Sequence, residues 1–124
     1  MADPTVAFFE ELGRRGHEPL LQKTSGTVRV DVVDGRRTER WFVRLSNGDV
    51  AVSRRNETAD CVLRGDRALF DDLVRGKANA VASMLRGALE LEGDLELLVA
   101  FQRLFPGPRR GQRMGRTGFV RTKS

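Results

Sequence analysis

The amino-acid sequence predicts an α+β fold in which helices pack on one face of a single five-stranded, mostly antiparallel sheet. Residues 27–33 alternate valine with polar side chains, the period-two pattern of a strand with one buried face. Asn47-Gly48 lies between two further strand patterns and is a strong hairpin signal. Residues 94–105 have a helical pattern that is apolar around most of its circumference. This last helix carries more apolar surface than one sheet face requires, so we expect a second contact to cover part of it.

The first half of the chain contains one helix pattern and four strand patterns. Asp3-Pro4 predicts a helix start, and Gly13 is expected to end that helix. Strand patterns at residues 27–33, 40–45 and 50–52 then predict a three-stranded antiparallel meander. After a polar loop, residues 61–64 read as a fourth strand.

The second half of the chain supplies three helices and the last strand. Asp66 is the predicted cap of a helix that ends before Gly76. A shorter helix is expected at about residues 78–86, followed by a fifth strand at residues 89–93. Asp94 caps the apolar last helix.

Length and composition fit one ordinary globular domain. The chain has 124 residues, of which 40% are hydrophobic and 31% charged. A single cysteine, Cys61, excludes an internal disulfide and a multi-cysteine zinc site. The N-terminus lacks the pattern of a secretory signal, and there is no run of 18 apolar residues. These features predict a cytoplasmic location.

The basic charge of the chain is confined to its C-terminus. Residues 107–124 contain six of the 22 Lys and Arg residues and none of the 17 Asp and Glu residues, so residues 1–106 have a net charge of −1. The C-terminal segment is also rich in glycine and poor in hydrophobic residues, which predicts disorder. The expected organisation is therefore a folded domain at 1–106 and a basic tail at 107–124.

Catalytic patterns are weak throughout the sequence. His17, the one histidine, lies in a glycine-bounded loop without a neighbouring acid or nucleophile motif. Cys61 lies in a strand, where a cysteine usually packs as a small hydrophobe. Asp71-Asp72 lack partner acids at metal-ligand spacing. We therefore expect no enzyme activity, no catalytic residues, no metal site and no cofactor.

Several motifs occur in one order between Gly26 and Pro106. They are Trp41 in the second strand, the Asn-Gly hairpin, Asp60-Cys61 at the fourth strand, Gly76-Lys77-Ala78-Asn79 after the helix, and Gly93-Asp94 before the last helix. Together they resemble the sterol-carrier-protein type-2 domain family. The resemblance implies an apolar tunnel between sheet and helices that holds a fatty acid, acyl-CoA, phospholipid or sterol. Family members in peroxisomes end in a Ser-Lys-Leu type of signal, whereas this chain ends Thr-Lys-Ser, so peroxisomal import is not supported.

A tunnel explains the surplus apolar surface of the last helix, because a tunnel wall needs apolar side chains beyond those of the core. The predicted lining comes from the last two helices and two positions elsewhere: Trp41, Phe70, Val81, Met84, Leu85, Leu97, Phe101, Leu104 and Phe105. Met84 suits this role by type, since a flexible thioether adapts to different ligands. Leu95 and Val99 line another side of the helix and are expected to meet a neighbouring helix or a partner. Plain core packing is the alternative for each lining residue.

Two further interpretations stay open from the sequence. The domain is alternatively a protein-interaction module that uses the last helix in a homodimer or a larger enzyme complex. The tail is either a dispensable extension or a segment that contacts anionic membranes transiently. Nucleic-acid binding is disfavoured, because Phe119 is the one aromatic ring of the tail and the folded part is slightly acidic.

Overall fold

The structure, a computed structural model, describes residues 3–106 of the chain and has the predicted α+β fold. The elements in chain order are α1 Pro4–Arg15, a 3₁₀ turn Pro19–Leu21, β1 Ser25–Asp34, β2 Arg37–Ser46, β3 Asp49–Ser53, β4 Cys61–Asp66, α2 Arg67–Val74, α3 Ala80–Leu85, β5 Glu90–Gly93 and α4 Leu95–Gln102. The basic tail at 107–124 lies outside the described residues. Within residues 3–106, the helices are all too short or too polar to cross a membrane.

The five strands form one sheet in the order β3-β2-β1-β4-β5. The predicted meander is present, since β2 pairs antiparallel with both β1 and β3, and β4 pairs antiparallel with β5. The pairing of β1 with β4 is parallel, which the sequence analysis did not predict. Residues 54–60 connect β3 at one edge to β4 beyond β1, so this loop has to cross β2 and β1.

The first helix is longer than predicted. It continues through Gly13 to Arg15 and ends at Gly16, which has a left-handed φ of 69° and donates its N–H to the Leu12 carbonyl at 3.2 Å. Gly13 lies inside the helix at a close approach to β3, because a Cβ at this position would lie 3.1 Å from Cβ of Val52. The expectation that Gly13 ends the helix is therefore wrong, and its lack of a side chain serves packing instead.

The last helix is shorter than predicted. The Asp94 carboxylate caps its start by accepting the N–H of Glu96 at 2.9 Å, as expected. The regular helix ends at Gln102, and the following residues form tight turns in which Phe105 donates its N–H to Gln102 at 3.1 Å. Phe105 remains buried, because the turns keep it on the inner side.

A single hydrophobic core lies between the sheet and the helices. The alternation of β1 places Val28, Val30 and Val32 in this core, where they are fully buried. Helices α1, α2 and α4 contact the strands, and α3 packs mainly on α4. The apolar side of the sheet is thus covered by the helical layer, as the sequence predicts.

Arg67 at the start of α2 ties three parts of the fold together. Its guanidinium pairs with Asp3 at the cap of α1, with Asp34 at the end of β1 at 2.9 Å, and with Glu39 on β2 at 2.7 Å. Hydrogen bonding to Glu39, with contributions from Asp34 and Asp3, raises the pKa of Arg67 above its ordinary value. This side chain therefore fixes α1 and α2 to the same end of the sheet.

Gly93 and Gly87 both have a left-handed backbone conformation, and substituting each of them distinguishes the effect of backbone strain from that of steric overlap. Gly93 (φ 101°) and Gly87 (φ 84°) both disfavour a side chain, but a Cβ at Gly93 would overlap the Asp60 carbonyl, whereas a Cβ at Gly87 meets nothing within 4 Å. We expect Gly87→Ala to cost about 1 kcal/mol from strain and Gly93→Ala to cost about 2 kcal/mol more from overlap. Urea unfolding of both variants measures the difference. Equal destabilisation would contradict the contact at Gly93.

Candidate functional site

The predicted lining residues lie in or beside the layer between sheet and helices, with one exception. Five are buried in the core, namely Trp41, Phe70, Leu97, Phe101 and Phe105. Val81, Met84 and Leu104 are partly buried and pack against that core. Leu85, at the end of α3, is 78% exposed and faces solvent. The structure therefore gathers eight of the nine residues around one apolar region, while their contact with a ligand stays a prediction.

Aromatic rings occupy the middle of this region. Phe9 of α1 stacks on Trp41 of β2 with ring centroids 5.1 Å apart and an interplanar angle of 17°. Phe101 of α4 lies 6.3 Å from Phe9, and Phe105 meets Phe101 edge to face at 5.5 Å. Phe8 reaches Phe105 at 5.3 Å from the side of α1. We call these five rings the aromatic cluster; it joins α1, the sheet and α4.

Phe8 and Phe9 belong to this cluster, although the sequence pattern did not indicate them as members of the candidate site. Both were visible as part of the apolar side of the first helix, but that pattern predicts burial and does not say what the helix covers. Their role depends on where α1 packs, and α1 lies against the sheet edge formed by β3 and against α2. This placement brings Phe9 over Trp41.

Trp41 marks the boundary between this core and the surface. Its side chain is 4% exposed, and the exposed Arg54 holds its guanidinium carbon 4.1 Å from the indole centroid. Arg54 donates its Nε–H to the carbonyl of Arg40 at 2.8 Å, which fixes the arginine in place. The indole Nε1 is buried and has no hydrogen-bond partner among the described residues.

Potentially reactive side chains have structural surroundings. Burial, with smaller effects from Asp94 and Asp60, raises the pKa of the Cys61 thiol to about 12, so it stays protonated at neutral pH. Asp60 closes the loop before β4, because its carboxylate accepts the N–H of Thr27 at 3.0 Å. His17 lies 3.0 Å from the exposed Asp49 carboxylate at a turn. In the part of the chain that is described, His, Cys, Asp and Glu form no cluster that could hold a metal ion.

A separate apolar groove of about 490 Å³ lies on the outer side of α4. Leu95 and Val99 line it and are 48% and 45% exposed. The charged residues Lys23, Glu96 and Arg103 also line the groove. The sequence pattern predicts that these two apolar residues meet a helix or a partner, and within residues 3–106 both remain about half exposed.

Comparison with protein families gives one match that spans the candidate site. Residues 9–106 match the model described as the SCP-2 sterol transfer family. Among curated proteins, peroxisomal multifunctional enzyme A from Dictyostelium discoideum is 26% identical over 98 residues. The aligned region is 77% of this chain and 22% of that protein, so the chain spans about a fifth of the length of this curated relative.

Solved structures share the same fold at low sequence identity. The sterol carrier protein domain 2 of Helicoverpa armigera is 20% identical with a TM-score of 0.66, and the match covers 82% of this chain and 84% of that one. Sterol carrier protein 2 from Aedes aegypti, determined in complex with the C16 fatty acid palmitate, is 17% identical with a TM-score of 0.64. That match covers 83% of this chain and 94% of the Aedes chain.

Proposed function

This chain belongs to the SCP-2 sterol transfer family, and on that premise we propose that it is a non-enzymatic carrier that binds a lipid between its sheet and its helices. The ligand is a fatty acid, acyl-CoA, phospholipid or sterol-like molecule. The observation that carries the proposal is the aromatic cluster, which concentrates large apolar side chains from α1, β2 and the α4 region in one layer. The palmitate complex of the Aedes aegypti relative supports the same ligand class. A cytoplasmic location is part of the proposal, and cell fractionation tests it.

Rings and aliphatic side chains form the kind of surface that most ligand pockets have. Helix α3 is the natural cover of such a site, because it has only six residues and packs mainly on α4. Its Val81 and Met84 are partly buried against the core. Movement of α3 would therefore expose apolar side chains without opening the sheet.

Lipid binding predicts a thermal shift and a bound mass. At a free ligand concentration of about 100 times Kd, binding stabilises the folded state by about 2.7 kcal/mol, which raises the Tm of a domain of this size by about 10 °C or more. Native mass spectrometry of the purified protein should show a bound acyl species, and thermal unfolding with palmitate or an acyl-CoA should show the shift. Absence of both results would contradict the carrier proposal.

The position of the site is tested with two tryptophan substitutions on α3. Met84→Trp adds volume on the partly buried side of the helix, whereas Ala82→Trp adds the same ring on its exposed side. We expect Met84→Trp to weaken palmitate binding at least tenfold, about 1.4 kcal/mol, and Ala82→Trp to leave binding unchanged. The same dissociation constant for both variants would place the ligand elsewhere.

A second candidate function is protein interaction through α4. The specific observation is the groove beside Leu95 and Val99, whose exposed apolar side chains suit an isologous homodimer. A stable dimer needs about 800 Å² of buried surface on each subunit.

Light scattering after size exclusion distinguishes this candidate from the carrier. If α4 forms a homodimer, the protein has the mass of two chains, and the double variant Leu95→Gln with Val99→Gln dissociates it to monomers. A monomeric protein across the accessible concentration range would contradict the dimer. A dimer that the double variant leaves intact would place the interface on another surface.

We also propose that residues 107–124 contact anionic membranes, which suits a carrier that loads and unloads lipid. This segment lies outside the described residues, and the argument rests on its six basic side chains without an acidic one. Each basic residue near an anionic surface contributes about 1 kcal/mol. Cosedimentation with phosphatidylcholine vesicles, with and without phosphatidylserine, should show binding only to the anionic vesicles. Replacing the six basic residues by glutamine in the full chain should abolish it, and retained binding would dismiss a role for the tail.

A further inference from the structure

Trp41 is the ring of the aromatic cluster that contacts an exposed charged side chain. The ring of Phe9 stacks at 5.1 Å and the Arg54 guanidinium carbon lies 4.1 Å from the indole centroid. Trp41 therefore contacts a ring of the core and a charged side chain at the same time. Phe9 is fully buried and Arg54 is exposed. Contacts from Phe9 to Trp41 and from Trp41 to Arg54 therefore lead from the core to the solvent.

Two hydrogen-bonding groups at this boundary lack acceptors among residues 3–106. The indole Nε1–H can only donate, and it is buried without a partner. Arg54 uses its Nε–H on the Arg40 carbonyl, and neither of its terminal amino groups takes part in a hydrogen bond or ion pair within these residues. A buried donor without an acceptor is unfavourable, so a ligand that brings an acceptor here gains more than one that brings only apolar surface.

The surroundings of Arg54 favour a negatively charged acceptor. A groove of about 340 Å³ beside it is lined by Arg37, Thr38, Glu39, Arg40, Arg54 and Asn56. Its one acidic side chain, Glu39, is paired with Arg67 at 2.7 Å. Arg40 lies 3.6 Å from Asp31, while Arg37 is exposed and has no ion pair among the described residues. Positive charge is thus in excess in the groove beside Arg54, whose guanidinium lies over the indole that carries the buried donor.

We propose that Trp41 and Arg54 form the head-group site of the carrier and bind the carboxylate of a long-chain fatty acid. This inference rests on the proposed lipid-binding function and narrows its ligand class. The carboxylate accepts hydrogen bonds from the Trp41 Nε1–H and from the terminal amino groups of Arg54. A planar carboxylate suits the planar guanidinium, which donates two parallel hydrogen bonds. The acyl chain then extends from Trp41 along Phe9 into the aromatic cluster.

The test compares palmitate with its methyl ester at pH 8, because the ester keeps the chain and removes the negative charge. We expect the full-length protein to bind palmitate at least tenfold more tightly than methyl palmitate in titration calorimetry. Arg54→Gln should remove this preference by weakening palmitate alone. Arg55→Gln is the matched control, since Arg55 is the adjacent exposed arginine, is paired with Glu57 at 3.2 Å and should leave both constants unchanged.

The Trp41→Phe variant tests the contribution of the indole N–H separately from that of the aromatic ring. Phenylalanine keeps an aromatic ring in contact with Phe9 and Arg54 but cannot donate a hydrogen bond. This variant should therefore weaken the binding of palmitate at least fivefold and the binding of methyl palmitate less. Thermal unfolding confirms that each variant is folded, and Arg54→Gln tests the site even if the Trp41 variant is unstable. Equal affinity of the wild-type protein for acid and ester, or unchanged palmitate affinity in Arg54→Gln, would overturn the head-group site and leave the carrier intact. Failure to bind either ligand would also overturn the head-group site, whereas the carrier proposal is overturned only if native mass spectrometry and the thermal shift with an acyl-CoA are negative as well.

Discussion

The strict alternation of β1 is the constraint on which the rest of this structure depends. Val28, Val30 and Val32 face the helices, so Arg29 and Asp31 have to face the other way. Because β1 is the central strand, this alternation places the apolar centre of the sheet on one side. The helical layer therefore gathers on that side, and on the carrier proposal this is the one layer that an apolar ligand can enter. The hypothesis of a lipid site is in this sense a consequence of the pattern in one strand.

On the opposite side of the sheet, ion pairs around the buried Asp31 connect the three middle strands. Asp31 is 3% exposed, and both of its oxygens accept hydrogen bonds from Arg29, at 3.0 and 3.1 Å. Arg40 and Arg64 on the neighbouring strands lie 3.6 and 3.8 Å from the same carboxylate. A buried carboxylate needs such partners, since an unpaired charge there would be strongly destabilising. Arg29 also donates to the carbonyl of Glu57 at 3.3 Å, which holds the loop at 54–60 near β1. That loop carries the chain from β3 to the parallel strand β4.

Local patterns in the sequence predicted most of the fold. The differences at β4 and Gly13 concern features that are determined by contacts between residues far apart in the chain. The meander follows from alternation and from Asn47-Gly48, and Asp3 and Asp94 cap α1 and α4 as predicted, all through contacts between near neighbours. Asp66 stands at the start of α2, but its side chain makes no capping hydrogen bond, so that predicted cap is wrong. The parallel pairing of β4 depends on the path of a polar loop, for which no short-range signal exists. Gly13 looked like a helix end because its close contact, Val52, lies some forty residues away.

In the candidate site too, local patterns identified some residues, and others depend on contacts between distant parts of the chain. Helical spacing selected Leu97 and Phe101 correctly as inward residues, but the six-residue α3 is too short for periodicity to separate Met84 from the exposed Leu85. The contact of Trp41 with Phe9 and Arg54 joins residues from three separate parts of the chain. The residue types at these positions indicate only burial or charge. The assembled fold shows that the buried N–H donor belongs to the same indole over which the exposed Arg54 guanidinium lies.

On the carrier proposal, the aromatic cluster also affects which part of a ligand dominates recognition. An empty cavity of about 300 Å³ at about 24 cal/mol per Å³ would cost about 7 kcal/mol, which is comparable to the whole stability of a domain. Rings in mutual contact avoid this cost in the unliganded protein. On the carrier proposal, an acyl chain that enters has to replace ring-to-ring contacts by ring-to-chain contacts, so much of its apolar gain is offset. The indole N–H of Trp41 and the terminal amino groups of Arg54 have no hydrogen-bond partner among residues 3–106, so hydrogen bonds from them to a head group would replace none within the protein. Affinity should then depend more on the head group than on the last methylene groups of the chain.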